Sequence, residues 1–511
     1  MHDIKTNAME GSQSPPPPKR ARLETPTGTS AGRLITVPDG EQKENTTLLN
    51  LPSVTFSQIF HSLKLKEIRS VQKVCTHLRD VVKENRALAK AWFRQFPASH
   101  QDQLKMAMAT KTNKQVYDWL KSFTNDETLA KSLSDRRQGG NYLTALLYFT
   151  KINLMSGCKT FTLEDTIICE EHEVESAHLS VDGRYLATAC NDGTVKIYDY
   201  STDGSRVNTT ITHDNIVRSV IFSPNGKHLV TASWDNTAMI YSLGDDGVWQ
   251  HKATLTHINV VLSAIFSPNS CHVITASLDN TAQLHSLKAD GSWEPVHLIH
   301  HNGIVQTAIF SADSCRVVTA SRDMTAKIHK RKTDVEWQEE DSISHSFAVM
   351  SASFGPDCCH VVTAGQDRIA KVSMKQADGS WELLIAFHHK DQVNSASFSP
   401  NGRYFVTACE DGSVTIFGRQ AYGKWEQVAI FYHKGAARSA TFSPDGSLLV
   451  TASNDGTAKI IGQEDDGTWS EKGKIVHKDS VLTATFNADG SRIVTASSDK
   501  TVRITELRRG N

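Results

Sequence analysis

The sequence predicts an all-β ring of eight repeated four-stranded units, a β-propeller, over residues 161–511, behind an all-α region at residues 47–160. The first observation is a Thr-Ala-x-x-Asp block that opens at Thr188, Thr231, Thr275, Thr319, Thr363, Thr407, Thr451 and Thr495, spaced by 43 residues once and by 44 six times. The second is that each block lies between two turn signals and has strand-like alternation, so about four short strands fill each period. The third is a run of apolar residues at helical spacing, ahead of the repeat, that has no such period.

Residues 1–46 are rich in Pro, Ser, Thr and Gly and have no hydrophobic period with which to offset the entropy of ordering, so they read as disordered. Within them, Pro15–Pro18 hold the chain extended and present Lys19, Arg20 and Arg22, a run similar to a short nuclear-import signal. From Leu51-Pro52 the character changes. Phe56, Ile59, Phe60 and Leu63 fall at helical spacing, followed by Ile68, Val71, Val74, Cys75, Leu78 and Val82, then by Leu88, Trp92 and Phe93. Three amphipathic helices in residues 47–97 are expected. Residues 98–160 also read as helical, with Leu104, Val116, Trp119, Leu120 and Phe123 before Gly139-Gly140 and a second apolar stretch from Tyr142 to Ile152 after it.

In the repeat, Phe-Ser-Pro-Asn-Gly-type turns precede each Thr-Ala block, and Asp-Gly or Asp-Asn turns follow it; both supply residues that tolerate positive φ. Tryptophans 44 apart, Trp249 to Trp469, open the fourth strand of six units and are expected to pack between blades. The last block ends on a third strand, Thr501–Thr505, while Phe161–Ile168 has the register of a fourth. The two are expected to pair, which removes an open edge and closes the ring.

Two families are similar to these segments. Leu51-Pro52, Ile59-Phe60-x-x-Leu63, Ile68, Val74-Cys75 and Trp92 follow the order and spacing of an F-box, with Leu78 where F-boxes often carry Trp. The repeat resembles the WD repeat, and only Tyr198-Asp199 approaches its Trp-Asp ending, so the domain is WD-like. The resemblance implies a substrate receptor of a cullin-based ubiquitin ligase. Its F-box would dock on a Skp-type adaptor through Leu51, Pro52, Ile59, Phe60 and Leu63, residues 98–160 would be a helical linker, and the propeller would bind a target protein. The alternative is a scaffold outside ubiquitin transfer whose helical region caps the propeller. The evenness of the period leaves a bacterial effector acting inside a eukaryotic host open as the source.

Histidines recur every 44 residues at His213, His257, His301, His345, His389, His433 and His477, each 22 before an Asp: Asp235, Asp279, Asp323, Asp367, Asp411, Asp455 and Asp499. Propeller symmetry spreads these rings around a circle, so they read as a structural network and not as metal ligands. In the WD pattern a hydroxyl on the second strand links each His to its Asp, a role that falls to Ser233, Ser277, Ser321, Ser453 and Ser497 and is missing at Cys190, Gly365 and Cys409.

No Gly-rich phosphate loop or G-x-S-x-G motif is present, and a non-catalytic protein without cofactor or metal is expected. The net charge of −1 gives no bulk attraction to nucleic acid or membrane, although residues 51–160 carry eighteen basic against eight acidic side chains and residues 161–511 carry 31 against 42. No apolar run approaches a membrane span, and there is no apolar N-terminal h-region. Nine cysteines without a C-x-x-C pair point to reduced thiols in the nucleus or cytoplasm of a eukaryotic cell.

Positions that differ between otherwise repeated copies are free of structural duty. One set precedes the turn Asp and includes Trp234, Leu278 and Arg322; the other lies five after the periodic His and includes Arg218, Leu262, Met350, Arg438 and Leu482. Large apolar groups on an expected solvent face mark a target-binding surface, with the arginines available to an acidic group.

Overall fold

The computed structural model describes residues 161–200, 206–333, 336–420, 423–464 and 466–509. The expectations for residues 1–160, including Lys19, Arg20, Arg22, Leu51, Pro52, Ile59, Phe60 and Leu63, lie outside the described residues. Among the described residues there is no α-helix, and thirty-two strands form eight four-stranded sheets. Blades 1 to 7 are meanders over residues 174–212, 217–256, 261–300, 305–344, 349–388, 393–432 and 437–476. Blade 8 takes three strands from one end of the repeat and one from the other. Its order is β1 (Phe161–Cys169), β32 (Thr501–Arg509), β31 (Arg492–Ser497) and β30 (Val481–Phe486). The antiparallel β1–β32 ladder runs from Phe161↔Arg509 to Cys169↔Thr501, so the fourth strand of the last blade comes from ahead of the first.

The core is divided among the junctions between blades. Each of the eight apolar clusters joins one blade to the next: Ile197 and Leu229 belong to the first junction, and Leu186 and Val494 to the one that closes the ring. The periodic tryptophans fill these junctions. Trp249 is buried with its ring edge-on to Tyr185 of blade 1 at 5.6 Å and tilted against Phe222 at 5.3 Å. A blade alone would leave one side of each such cluster in water, which makes the closed ring the stable unit.

The turn after each Thr-Ala block requires a left-handed residue. Gly193, Gly412 and Gly456 adopt it at φ 86°, 82° and 78°, and Asn236, Asn280, Met324, Arg368 and Lys500 adopt it in their own blades at 64° to 72°. For Met324 and Arg368 that backbone costs about 1 kcal/mol.

Candidate functional site

One face of the ring is organised by the histidines. In blade 2 the His213 ring accepts or donates at both nitrogens: Nδ1 lies 2.7 Å from Asp235 Oδ2, and Nε2 lies 2.8 Å from Thr231 Oγ1. The same oxygen of Asp235 accepts the Asp214 N–H, while Oδ1 accepts the Thr237 N–H and hydroxyl. One carboxylate therefore pins the loop that enters the blade and starts its third strand. His257, His301, His345, His433 and His477 repeat the arrangement, with Nδ1 to Asp Oδ2 at 2.8, 2.8, 2.9, 3.1 and 3.2 Å. Their Nε2 atoms lie 2.7 or 2.8 Å from Thr275, Thr319, Thr363, Thr451 and Thr495.

The hydroxyl that meets the ring is thus the Thr of the block and not the Ser two residues later. Ser233 instead accepts the Asp235 N–H at 3.1 Å and donates to the Asn215 carbonyl at 3.2 Å. Asp323 shows the electrostatic result. Burial alone would raise its pKa, but the Thr325 hydroxyl, the Asn302 N–H and the His301 ring outweigh it and hold the carboxyl at about 2. Burial lowers His257, His301, His345 and His433 below the usual imidazole value against the pull of their carboxylates, so these rings are neutral at pH 7.

Two blades depart. In blade 1 the place of the ring is taken by Glu170, whose Oε1 accepts from Thr188 and Tyr198 at 2.8 Å each, and whose Oε2 meets Lys196 at 2.7 Å. In blade 6 the expected His389–Asp411 link is not made. His389 Nδ1 sits 3.4 Å from Cys409 Sγ, and His389 Nε2 and Thr407 Oγ1 are both buried without a hydrogen bond. Blade 6 carries the larger, weakly bonding sulfur of Cys409 where five of the six clamped blades carry Ser. Gly365 in blade 5 lacks the Ser as well, yet its clamp holds, because the space of a Cβ is filled by Asp367 and His345.

The positions five after each histidine share a backbone feature. The pairing of every first strand shifts register across Glu175, Arg218, Leu262, Gln306, Met350, Asn394, Arg438 and Leu482. Each is the extra residue of a β-bulge, which frees its side chain from the inward–outward alternation. All eight side chains are half-buried, so Leu262, Met350 and Leu482 do not stand free on the surface as expected from the sequence. Arg218 is paired with Glu175, Arg438 donates to Asn454, and Gln306, with its amide oxygen toward Arg322, accepts from Nη2 at 3.1 Å.

Above this ring, the entry loops and turns alternate as one hydrogen-bonded belt. His257 N–H bonds the Asn236 carbonyl and Leu278 N–H bonds Val260; His301 bonds Asn280; His345 bonds Met324. Along that belt in blades 2 to 5 stand Trp234, Ile258, Met324 and Phe347, exposed to 43%, 92%, 47% and 60%, with Leu278 half-buried among them. Trp234 and Leu278 came from the column of residues before the turn Asp. Ile258, Met324 and Phe347 lie outside the columns read from the sequence; a column one after each histidine would have found Ile258.

Among the described residues no group of three or more His, Cys, Asp or Glu is arranged to hold a metal ion. The face offers hydrogen-bonded loops and apolar side chains, an arrangement suited to holding another chain.

The comparisons with known proteins follow the same division of the chain. A family model described as WD domain, G-beta repeat, matches residues 163–199, 204–242, 249–286, 293–330, 338–372, 381–417, 425–461 and 470–505. A model of the F-box domain matches residues 48–89. No curated protein matches the chain. Among solved structures, Sqt1 from Chaetomium thermophilum has 17% identity and a TM-score of 0.59, over 68% of this chain and 100% of that one. Sqt1 from Saccharomyces cerevisiae has 16% identity and a TM-score of 0.59, over 68% and 98%. Chaetomium thermophilum Sqt1 bound to the N-terminus of the ribosomal protein L10 has 18% identity and a TM-score of 0.57, over 69% and 98%. At these identities the likeness is one of fold.

Proposed function

Because the chain belongs to the WD-repeat family and joins eight such repeats to an F-box domain, we propose that it is the substrate-recognition subunit of a cullin-type ubiquitin ligase. In this reading the F-box docks on a Skp-type adaptor through Leu51, Pro52, Ile59, Phe60 and Leu63, the cullin complex supplies ubiquitin transfer, and the propeller holds the target. The protein performs no bond chemistry, and it works in the nucleus or cytoplasm. The observation that carries the target-binding part is the apolar arc of Trp234, Ile258, Met324 and Phe347 on the belt of one face. Four large side chains kept in water on loops whose backbone is already satisfied favour burial under a partner, each worth roughly 1.5–3 kcal/mol when fully covered.

Co-expression with a Skp-type adaptor tests the docking half. The intact chain is expected to co-purify with the adaptor, and replacement of Ile59 and Phe60 by Ala to abolish this. Target capture that persists without any adaptor binding would move the protein to the scaffold reading.

A further inference from the structure

We propose that a cleft on the flank of blade 6 is a binding site for the guanidinium group of an arginine side chain presented by another protein. The cleft has a volume of about 240 Å³ and lies between the ends of the outer strands of blades 5 and 6, with Phe387, Ile430 and Tyr432 on its walls and Asp411 and Lys390 among its polar groups. That volume falls below the range of drug-sized pockets and suits one side chain.

The chemical class follows from what the six clamped blades do with the same carboxylate. In each, Asp Oδ2 receives two N–H donors, one from the histidine ring and one from the backbone of the next residue, as Asp455 does from His433 and Lys434. In blade 6 Asp411 Oδ1 is satisfied by Ser413, but neither His389 nor the Lys390 N–H bonds Oδ2. Asp411 is exposed with Oδ2 open to an incoming group, and two N–H donors at that one oxygen are a pattern that two nitrogens of one planar guanidinium supply and an ammonium does not. The apolar stem of the arginine would lie along Phe387, Ile430 and Tyr432. Burial keeps the His389 imidazole neutral at pH 7, so the ring does not compete for Asp411 as a cation. Lys390 opposes the ligand by charge, and its exposed side chain is free to turn toward solvent.

The test uses the full chain and ligand-observed NMR titration with N-acetyl-arginine N-methylamide, and with the lysine and norleucine counterparts. The arginine probe is expected to bind with a dissociation constant of roughly 1–10 mM, and the lysine probe to bind at least about fivefold more weakly. Asp411→Asn should remove binding, and Lys390→Ala should tighten it by roughly twofold. Cys409→Ser is the decisive variant. It restores the hydroxyl found in five of the six clamped blades, so His389 should return to Asp411 and Thr407, binding should be lost and the melting temperature should rise. Equal binding of arginine and lysine probes, no saturable binding, or arginine binding unchanged in both Asp411→Asn and Cys409→Ser would overturn the assignment. The target-binding arc is untouched by these variants, so its failure and that of the cleft are distinguishable.

Discussion

The two halves of the belt share one backbone and differ in what they show to solvent. Ile258 on blade 3 and Lys434 on blade 7 follow equivalent histidines, and both donate their N–H to the carboxylate of their own blade, at 3.1 and 2.9 Å. Asn302, Ser346 and Lys478 do the same with Asp323, Asp367 and Asp499. The clamp uses only the backbone of this residue, so folding places no demand on its side chain. One half nevertheless presents Ile258, Met324 and Phe347, and the other Lys390, Lys434, Lys478 and Lys500. The clamp therefore leaves the chemistry of this part of the face open. Met324 in one half and Lys500 in the other both carry a left-handed backbone cost that Gly412 and Gly456 avoid at the same place.

The largest effect is expected where both halves depend on one element. Deletion of residues up to 170 removes β1, exposes the β32 edge and strips Glu170 from Thr188 and Tyr198. The melting temperature should fall sharply for the whole ring, and an unchanged value would show that blade 8 closes by other means.

The clamps come next, and they should cost the same in either half. His257→Phe and His433→Phe each leave a carboxylate and a buried Thr hydroxyl without their ring partner, worth about 2–4 kcal/mol. Chemical denaturation of the two variants should give equal losses within about 0.5 kcal/mol. A twofold disparity would mean that the halves differ in frame as well as in face.

Acid should separate the halves. His285 of blade 3 and His329 of blade 4 are buried, and burial holds them at about 4 and about 3; for His329 the neighbouring His297, Lys327 and His301 push in the same direction. Glu339 also approaches His329 Nε2, at 4.0 Å. The unfolded chain takes up protons at these sites below about pH 6.5, whereas the folded ring refuses them until pH 4 to 3, so stability falls as the pH drops through that window. Blades 6, 7 and 8 carry Phe417, Ile461 and Thr505 at the equivalent position, which do not titrate. His178 of blade 1 is held at about 4 by burial in the same way. Hydrogen exchange at pH 5 against pH 7 should therefore show blades 1, 3 and 4 losing protection first, by on the order of 1–3 kcal/mol, ahead of blades 6 to 8. His285→Phe with His329→Phe should remove the loss in blades 3 and 4 and leave that in blade 1. Loss that is uniform around the ring would contradict this. The carboxylates add a later step, since Asp323, Asp455 and Asp499, held at about 2, lose their contribution only as the pH falls from about 4 toward 2.

The eight-bladed ring was legible because every blade repeats the same turn, strand and tryptophan positions, and a 44-residue period leaves room for little else. The clamp was legible as a column of His and Asp but not in its bonds. Thr231 and Ser233 lie two apart on one strand and present hydroxyls to the same side, so spacing alone does not say which one meets the ring. The loss of the clamp in blade 6 was hidden because His389 and Asp411 are both present, and the ring meets the Cys409 sulfur instead. Glu170 escaped because the histidine column begins at His213. The bulges explain why the single column through Glu175 and Arg218 varies, yet they also draw Leu262 and Met350 half under the surface, which alternation alone does not predict.

The smallest effect on stability should come from the face itself, and there the two halves should part in binding. Trp234→Ala and Phe347→Ala remove side chains that are 43% and 60% exposed, and the hydrogen bonds of both loops run through backbone atoms, so each should change stability by less than about 1 kcal/mol. If the arc is the anchor for a target, each truncation should weaken capture by roughly tenfold or more, as for a central apolar contact. Lys434→Ala and Lys478→Ala, on the opposite half and equally free of frame bonds through their side chains, should weaken it by no more than about threefold, mainly through the rate of association. Arg322→Ala, within the arc, should fall between the two, because its guanidinium is already engaged by Gln306. Capture measured by surface-immobilised target against all five variants decides the matter. If the lysine variants lose binding while Trp234→Ala and Phe347→Ala retain it, the target sits on the charged half, and the exposed apolar arc needs another explanation.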